Sequence, residues 1–577
     1  MDQSTNNHRM LAACSLAACL LAASALLAGC SRQPDPAAQD AAGQPATETP
    51  ANDQAWRQPL FEGLGEIDFP ISTRSAEAQR YFNQGLSLAY AFNHAAADFA
   101  FNEAALHDPD CAMCYWGSAL VLGPNVNAAM DPANASRAHL LAQQAQRLAA
   151  DATHKEQVLT AALARRYQAE EPEDRTTLDQ AYADAMRAAA AEFPDDVNIV
   201  TLTGEALMDL HPWDFFVFDG EERPWTREIL DRLEQALALN ENHIGAIHLY
   251  IHAVEQSSAA DRAEPYADKL ADLAPLAGHL VHMPAHIYIR VGRYHDATLN
   301  NMKAADADAQ FVQVCRSNSP IYLAGYIPHN WHFGWITAAM EGWSEQAFEM
   351  ARGTAAQLTP ELVRTQVVAV AQQFYMQPAY AQVRFGAWED ILNSPEPDVD
   401  LLYARAVWHY ARGRAMLGLG DMDGARREAE QLAALRADPA MAELIFFERD
   451  SADVLLNIAA LVLDGEISAA RGDLDAALET LSTAVAQEDV LPYNEPPFWF
   501  YPARHSLGAI QLAAGDPQAA ERTYREDLGI MRENGWALMG LAQALSAQGE
   551  EAEAERVMAR FEVAWQHADI EIATSRL

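Results

Sequence analysis

The chain has 577 residues, with 81 Asp and Glu against 39 Lys and Arg, a formal net charge of -42. That charge excludes nucleic acid as a partner, which needs a basic face to displace phosphate counterions, and it excludes a polybasic membrane patch. Half of the residues are hydrophobic and 9% aromatic, so a large core is available and wholesale disorder is excluded. The length fits two to four ordinary domains or one long repeat array.

Arg9 is the only Lys or Arg before a run of small and apolar residues from Met10 to Gly29. A charge followed by such a run reads as a secretory leader. The run ends in Leu27-Ala28-Gly29-Cys30, which resembles a bacterial lipobox. The resemblance implies a signal peptide over 1–29 that is removed, and acylation of Cys30. Ser31 follows Cys30, and by the Gram-negative sorting pattern the absence of Asp there implies the outer membrane, with the body facing the periplasm. The alternative is an uncleaved anchor, which also leaves the body outside the cytoplasm. Residues 30–66 are expected to be the acylated Cys and a flexible tether, rich in Ala, Pro, Gln, Asp and Thr to about residue 56.

Beyond the leader and Cys30, only Cys111, Cys114 and Cys315 remain, which excludes a disulfide scaffold. Two array segments are expected to follow, 67–350 with a His-rich inner face and 351–577. The clearest repeat is 78–109, where Gly85, Leu88, Ala97, Phe101, Ala104 and Pro109 take positions 8, 11, 20, 24, 27 and 32 of a 34-residue frame. Ala119 continues that frame. Gly413, Gly420 and Ala425, then Gly465, Gly472 and Ala477, mark looser units, and Gly508, Ala520 and Tyr524 recur as Ala542, Ala554 and Met558. The pattern resembles the tetratricopeptide repeat (TPR). It implies an all-α, helix-turn-helix solenoid, a right-handed superhelix whose first helices line a concave face through positions 2, 5, 9 and 12.

Cys111-Ala-Met-Cys114 opens a predicted helix. A disulfide or two packed thiols is the favoured reading, with a redox pair or two metal-binding thiolates as alternatives. Tyr115 stands where a c-type haem motif needs His, so no haem is expected. The aromatic segment 211–226, with Trp213 and Trp225, reads as packing or as a lid carrying His211 or Asp214 to a site. Glu205 and Asp209 are second-rank candidates near the inner face.

The histidines concentrate between 243 and 332. With Pro275 at position 32, His248, His252 and Glu255 fall at 5, 9 and 12; His279, His282 and His286 then fall at 2, 5 and 9. With Gly342 at position 15, His329 and His332 fall at 2 and 5. The register is set by Gly, Ala and Pro, so the coincidence of seven His with the inner face is informative. Neutral imidazoles at i, i+3 or i, i+4 put two ligands on one metal from a rigid helix. Zinc, copper or iron suits such a set. Glu255 is read as a further ligand or a general base. His243 and His295 fall off the stripe, and the remaining His read as ordinary.

His279 through Tyr294, with Tyr250–Glu255, Pro328–His332, Pro212-Trp-Asp214 and Asp108–Gly117, is similar to a group of bacterial TPR proteins over roughly residues 75–350. That similarity implies a shared site and transfers no activity or catalytic residue. The sequence carries no G-x-S-x-G, HExxH, P-loop or GxGxxG match. The expectation is a lipid-anchored extracytoplasmic TPR scaffold that binds a protein or peptide partner on its concave face, with a His-coordinated transition metal. The alternative is a metal-dependent hydrolase or oxidoreductase using the same cluster.

Overall fold

A computed structural model describes residues 57–217, 220–315, 321–364, 370–446 and 450–577. The leader and Cys30 lie outside the described residues. The chain is an all-α array of helix pairs of tetratricopeptide type. Ala76–Tyr90 packs on His94–His107, Leu402–Gly418 on Met422–Arg436, Ala452–Ala470 on Leu474–Glu488, and Gly535–Ala547 on Glu551–Ala564. A two-residue antiparallel ladder, Ile445–Phe446 against Asp450–Ser451, interrupts the helices. No helix among the described residues is long and apolar enough to cross a membrane.

The repeat frame has a steric cause. A Cβ at Gly85 would sit 2.7 Å from the Phe101 ring, and one at Gly117 would sit 2.3 Å from it. One aromatic ring thus fills a hole that two glycines leave between three helices. Tyr524 does the same against Gly508 and Gly540. Inside the pairs, Gly420 and Gly472 turn the chain at φ +85° and +81°, where a side chain would be strained. Polar caps start the helices, as where the Ser75 and Asn93 side chains accept from Ala78 N and Ala96 N.

The array does not stay open. Its first helix, Ala76–Tyr90, packs on Ile244–Val254 far along the chain. Residues 57–66 join this closure, so the expectation of a tether to residue 66 is corrected. Buried Gln58 donates to Ala96 O at 3.1 Å, Phe61 N donates to the Gln84 side chain at 2.7 Å, and Leu276 N donates to Gly63 O at 2.8 Å. The physical reason is that Phe61 and Leu64 are apolar anchors within a polar stretch; Leu64 is buried and Phe61 meets the Phe311 ring at 5.1 Å. From the other end, Trp536 Nε1 donates to Ala339 O and the Tyr294 hydroxyl donates to Arg532 O, both at 2.8 Å. The inner face between these closures is therefore interior, where the sequence implied an open concave face.

Candidate metal centre

His243 starts the first helix of the site. Its Nδ1 accepts from Ala246 N at 3.0 Å, capping Ile244–Val254, which explains why it falls off the inner stripe. His248 and His252 follow one turn apart on this helix, and Glu255 stands just past its end. The next helices are Gly278–His282 and Pro284–Val291. Pro284 lacks the N–H that would bond back into the first of them, yet His282 and His286 still face one direction. His329 enters from the first turn of Ile327–Met340.

These elements converge. His248, His252 and His279 form one set, and His282, His286 and His329 a second; within each, the nearest ligand atoms all lie within 4.8 Å of one another. The sets adjoin, with ring centroids 5.4 Å apart for His252 and His286 and 5.8 Å for His279 and His282. All are buried except His329, which is half-buried. A third set, His252, Glu255 and His286, is the link between the two.

The hydrogen bonds fix which nitrogen carries each proton. His248 Nδ1 meets Tyr90 O at 2.6 Å, His252 Nδ1 meets Glu255 Oε1 at 2.8 Å, and His282 Nδ1 meets Asn301 Oδ1 at 2.6 Å. His286 Nδ1 bonds the other Glu255 oxygen. Asn301 is oriented by its own donation to Ala297 O. Each partner is an acceptor, so each Nδ1 is the donor, and Nε2 is the nitrogen left to bind an ion or a second proton. Those Nε2 atoms point at one another. His282 Nε2 lies 2.8 Å from His286 Nε2 and 3.1 Å from His329 Nε2. His248 Nε2 lies 3.2 Å from His279 Nε2, and His252 Nε2 is buried without a partner. Two such nitrogens at this distance share either a proton or a metal cation.

Electrostatics keep the imidazoles neutral. Burial, and then the neighbouring imidazoles, push His248, His279, His282 and His329 well below the usual histidine range. His252 is lowered by burial, against the pull of Glu255. Burial raises the Glu255 carboxyl, but His286 and His252 outweigh it and bring the group down to about 2. Neutral rings with lone pairs inward and an ionised carboxylate behind them are the state in which His binds metal.

The walls are aromatic. Phe92 lies 4.4 Å from the His248 ring and 5.5 Å from His279, Tyr326 lies 4.8 Å from His279, and Phe333 lies 4.9 Å from His286. Trp213 meets His252 edge-on at 5.1 Å. Its Nε1 donates to Asn127 Oδ1 at 3.0 Å, and Asn127 donates to the Tyr326 hydroxyl at 3.2 Å. A strap of two loops and the helical turn Tyr322–Tyr326 thus crosses the first set.

Several expected members lie elsewhere. His332 joins neither set; it is buried against Phe374 and Trp335, at 5.4 and 6.4 Å. Asp209 is held by Arg166 at 2.6 Å. His211 stacks on Trp225 at 3.8 Å and Asp214 pairs with Arg223, so the aromatic segment reaches the cluster through Trp213 instead. Cys111 and Cys114 are joined as a disulfide at the start of Ala112–Leu120 and belong to none of the His sets. Tyr90, Phe92, Asn127, Asn301 and Tyr326 were not read from the sequence. Tyr90 ends a first helix but acts through its backbone carbonyl, and the others come from loops, the turn Tyr322–Tyr326 and the packing helix Tyr294–Val314, none of which the register addresses.

Residues 511–561 match the tetratricopeptide repeat family. Over 100 residues the chain is 42% identical to the cellulose synthase operon protein C of Xanthomonas axonopodis pv. citri (strain 306), a stretch that spans 17% of this chain and 6% of that protein. Among solved structures, the Cut9–Hcn1 hetero-tetramer of APC/C aligns with 85% of this chain and 78% of its own at 13% identity and TM-score 0.30. Yeast Tom70 aligns with 84% and 92% at 11% identity and TM-score 0.26.

Proposed function

We propose that this chain is a lipid-anchored protein of the bacterial cell envelope whose helical array encloses a pair of transition-metal ions. His248, His252 and His279 hold one ion and His282, His286 and His329 the other, through Nε2 wherever the tautomer is fixed. Glu255 braces both sets by accepting from the Nδ1 of His252 and His286. The observation that carries this reading is the convergence of six imidazoles, four of which, His248, His252, His282 and His286, have Nδ1 committed as a donor and turn Nε2 inward. Both Glu255 oxygens are occupied by imidazole N–H groups, which favours a bracing carboxylate over the general base of a hydrolase. The tetratricopeptide fold is a scaffold for protein interaction. With the His face enclosed, a partner is expected on the outer surface of the array.

The test is metal analysis of the mature chain purified without a His tag. Two ions per chain are expected, and His282→Ala with His286→Ala is expected to leave at most one. A wild-type chain that takes up no transition metal from a mixed-metal medium ends the proposal. The envelope address rests on Leu27-Ala28-Gly29-Cys30. Metabolic fatty-acid labelling is expected for the wild type and lost in Cys30→Ser; equal labelling of both overturns the lipid anchor.

A further inference from the structure

We infer that the two His sets are built for two monovalent copper ions rather than for divalent zinc, iron or copper, an inference that rests on the cluster being a metal centre. The donors are neutral, and neither His triad contains a carboxylate or a thiolate. Among the described residues, Glu255 is the only acid bonded to these rings.

Behind it the charges largely cancel. Glu495 is buried and acts on Glu255 and His286. It accepts from the Tyr493 hydroxyl at 2.8 Å, and Arg290 lies 3.9 Å from it. Glu255, Glu495 and Arg290 together supply at most one net negative charge.

Two dications would therefore bury a net charge of at least three between the Phe92, Trp213 and Phe333 rings. A low-dielectric interior resists uncompensated charge strongly. Two monocations leave little to compensate. Coordination number agrees. Each set offers three imidazoles, enough for a trigonal shell around a d10 monocation. Zinc completes its tetrahedron with a fourth ligand, and divalent copper takes a tetragonal shell. Imidazole is a good copper ligand, and an envelope protein meets copper before the cytoplasm does.

The experiment titrates the metal-stripped mature chain with Cu(I), anaerobically and with ascorbate, against a chromophoric Cu(I) chelator. Zn(II) and Cu(II) are titrated in parallel. Two Cu(I) per chain are expected, held at least about tenfold more tightly than Zn(II), with X-ray absorption showing nitrogen neighbours only. His279→Gln and His329→Gln are each expected to leave one. The variant Cys111→Ser, Cys114→Ser, Cys315→Ser is expected to keep two. Displacement of Cu(I) by equimolar Zn(II), sulfur in the copper shell, or loss of copper from the cysteine-free variant overturns the inference and leaves a metal centre of another kind. Failure of all three ions to bind removes the metal centre itself.

Discussion

Glu255 is the residue on which both His sets turn. It accepts one N–H from each, so a change there is felt by both. Glu255→Gln keeps the shape but replaces one acceptor oxygen with a donor. One imidazole then loses the partner that fixes its tautomer. We expect metal affinity to fall about ten- to a hundredfold, the range for losing an outer-shell carboxylate, with a stability loss of about 1–3 kcal/mol for one unpaired buried group. Competition with a chelator and urea unfolding read the two effects; unchanged affinity would make Glu255 structural only. His332 gives a different prediction because it lies outside both sets. Burial lowers it to about 3, against about 6.5 in the unfolded chain. Above pH 6.5 neither state binds a proton and its contribution is whole. As pH falls from 6.5 toward 3 the unfolded chain protonates first, and stability is lost through that window. His332→Phe removes this term, so unfolding of the metal-free variant between pH 4 and 6 should depend on pH by about 1.4 kcal/mol less per unit than wild type. Parallel profiles would show that His332 is solvated in the folded chain.

At the scale of elements, the unit is a ring held between small residues. The Phe101 ring lies against both Gly85 and Gly117, and their burial leaves no room for a methyl group. Gly117→Ala forces the ring or the helix to move and is expected to destabilise by about 1–3 kcal/mol, as overpacking does. The gain in helix propensity, at most about 1 kcal/mol, is smaller and does not offset it. Thermal unfolding checks this, and an unchanged midpoint would mean that the ring is not confined. The same periodicity made the fold legible, because glycine and aromatic residues recur where helices touch. It also put seven His on one face, since inner-face positions follow from the frame, and the structure brings six of them together. It failed for His332, at a position 5 that resembles those of His248 and His282. Here the Ile327–Met340 helix packs against the Phe374 region, and His332 is turned toward it. A frame gives the direction of a side chain from its own helix and not which neighbour occupies that direction. For that reason Trp213 was visible as part of an aromatic segment but its contact with His252 was not.

At the scale of the whole molecule, the array works by closing. An open TPR array would leave the His face wet, and wet imidazoles titrate near pH 6.5 and bind ions loosely. The sequence showed repeats but not their closure, because the contacts responsible join residues hundreds of positions apart and follow no period. Gly63 with Leu276 and Trp536 with Ala339 are examples. Trp536 is the test of closure. It is fully buried, donates to Ala339 O at 2.8 Å, and has the Arg384 guanidinium 3.7 Å above its ring. Ala339 lies on the Ile327–Met340 helix that carries His329. Trp536→Ala removes a large buried ring and is expected to cost about 3–5 kcal/mol. The distribution of that cost is the informative part. If closure supports the metal centre, hydrogen exchange should rise along residues 327–340 as well as around 536. The second His set should then lose metal more readily than the first, because its third ligand comes from the loosened helix. Faster exchange confined to residues 517–564, with both ions retained, would mean that the C-terminal units stabilise only themselves.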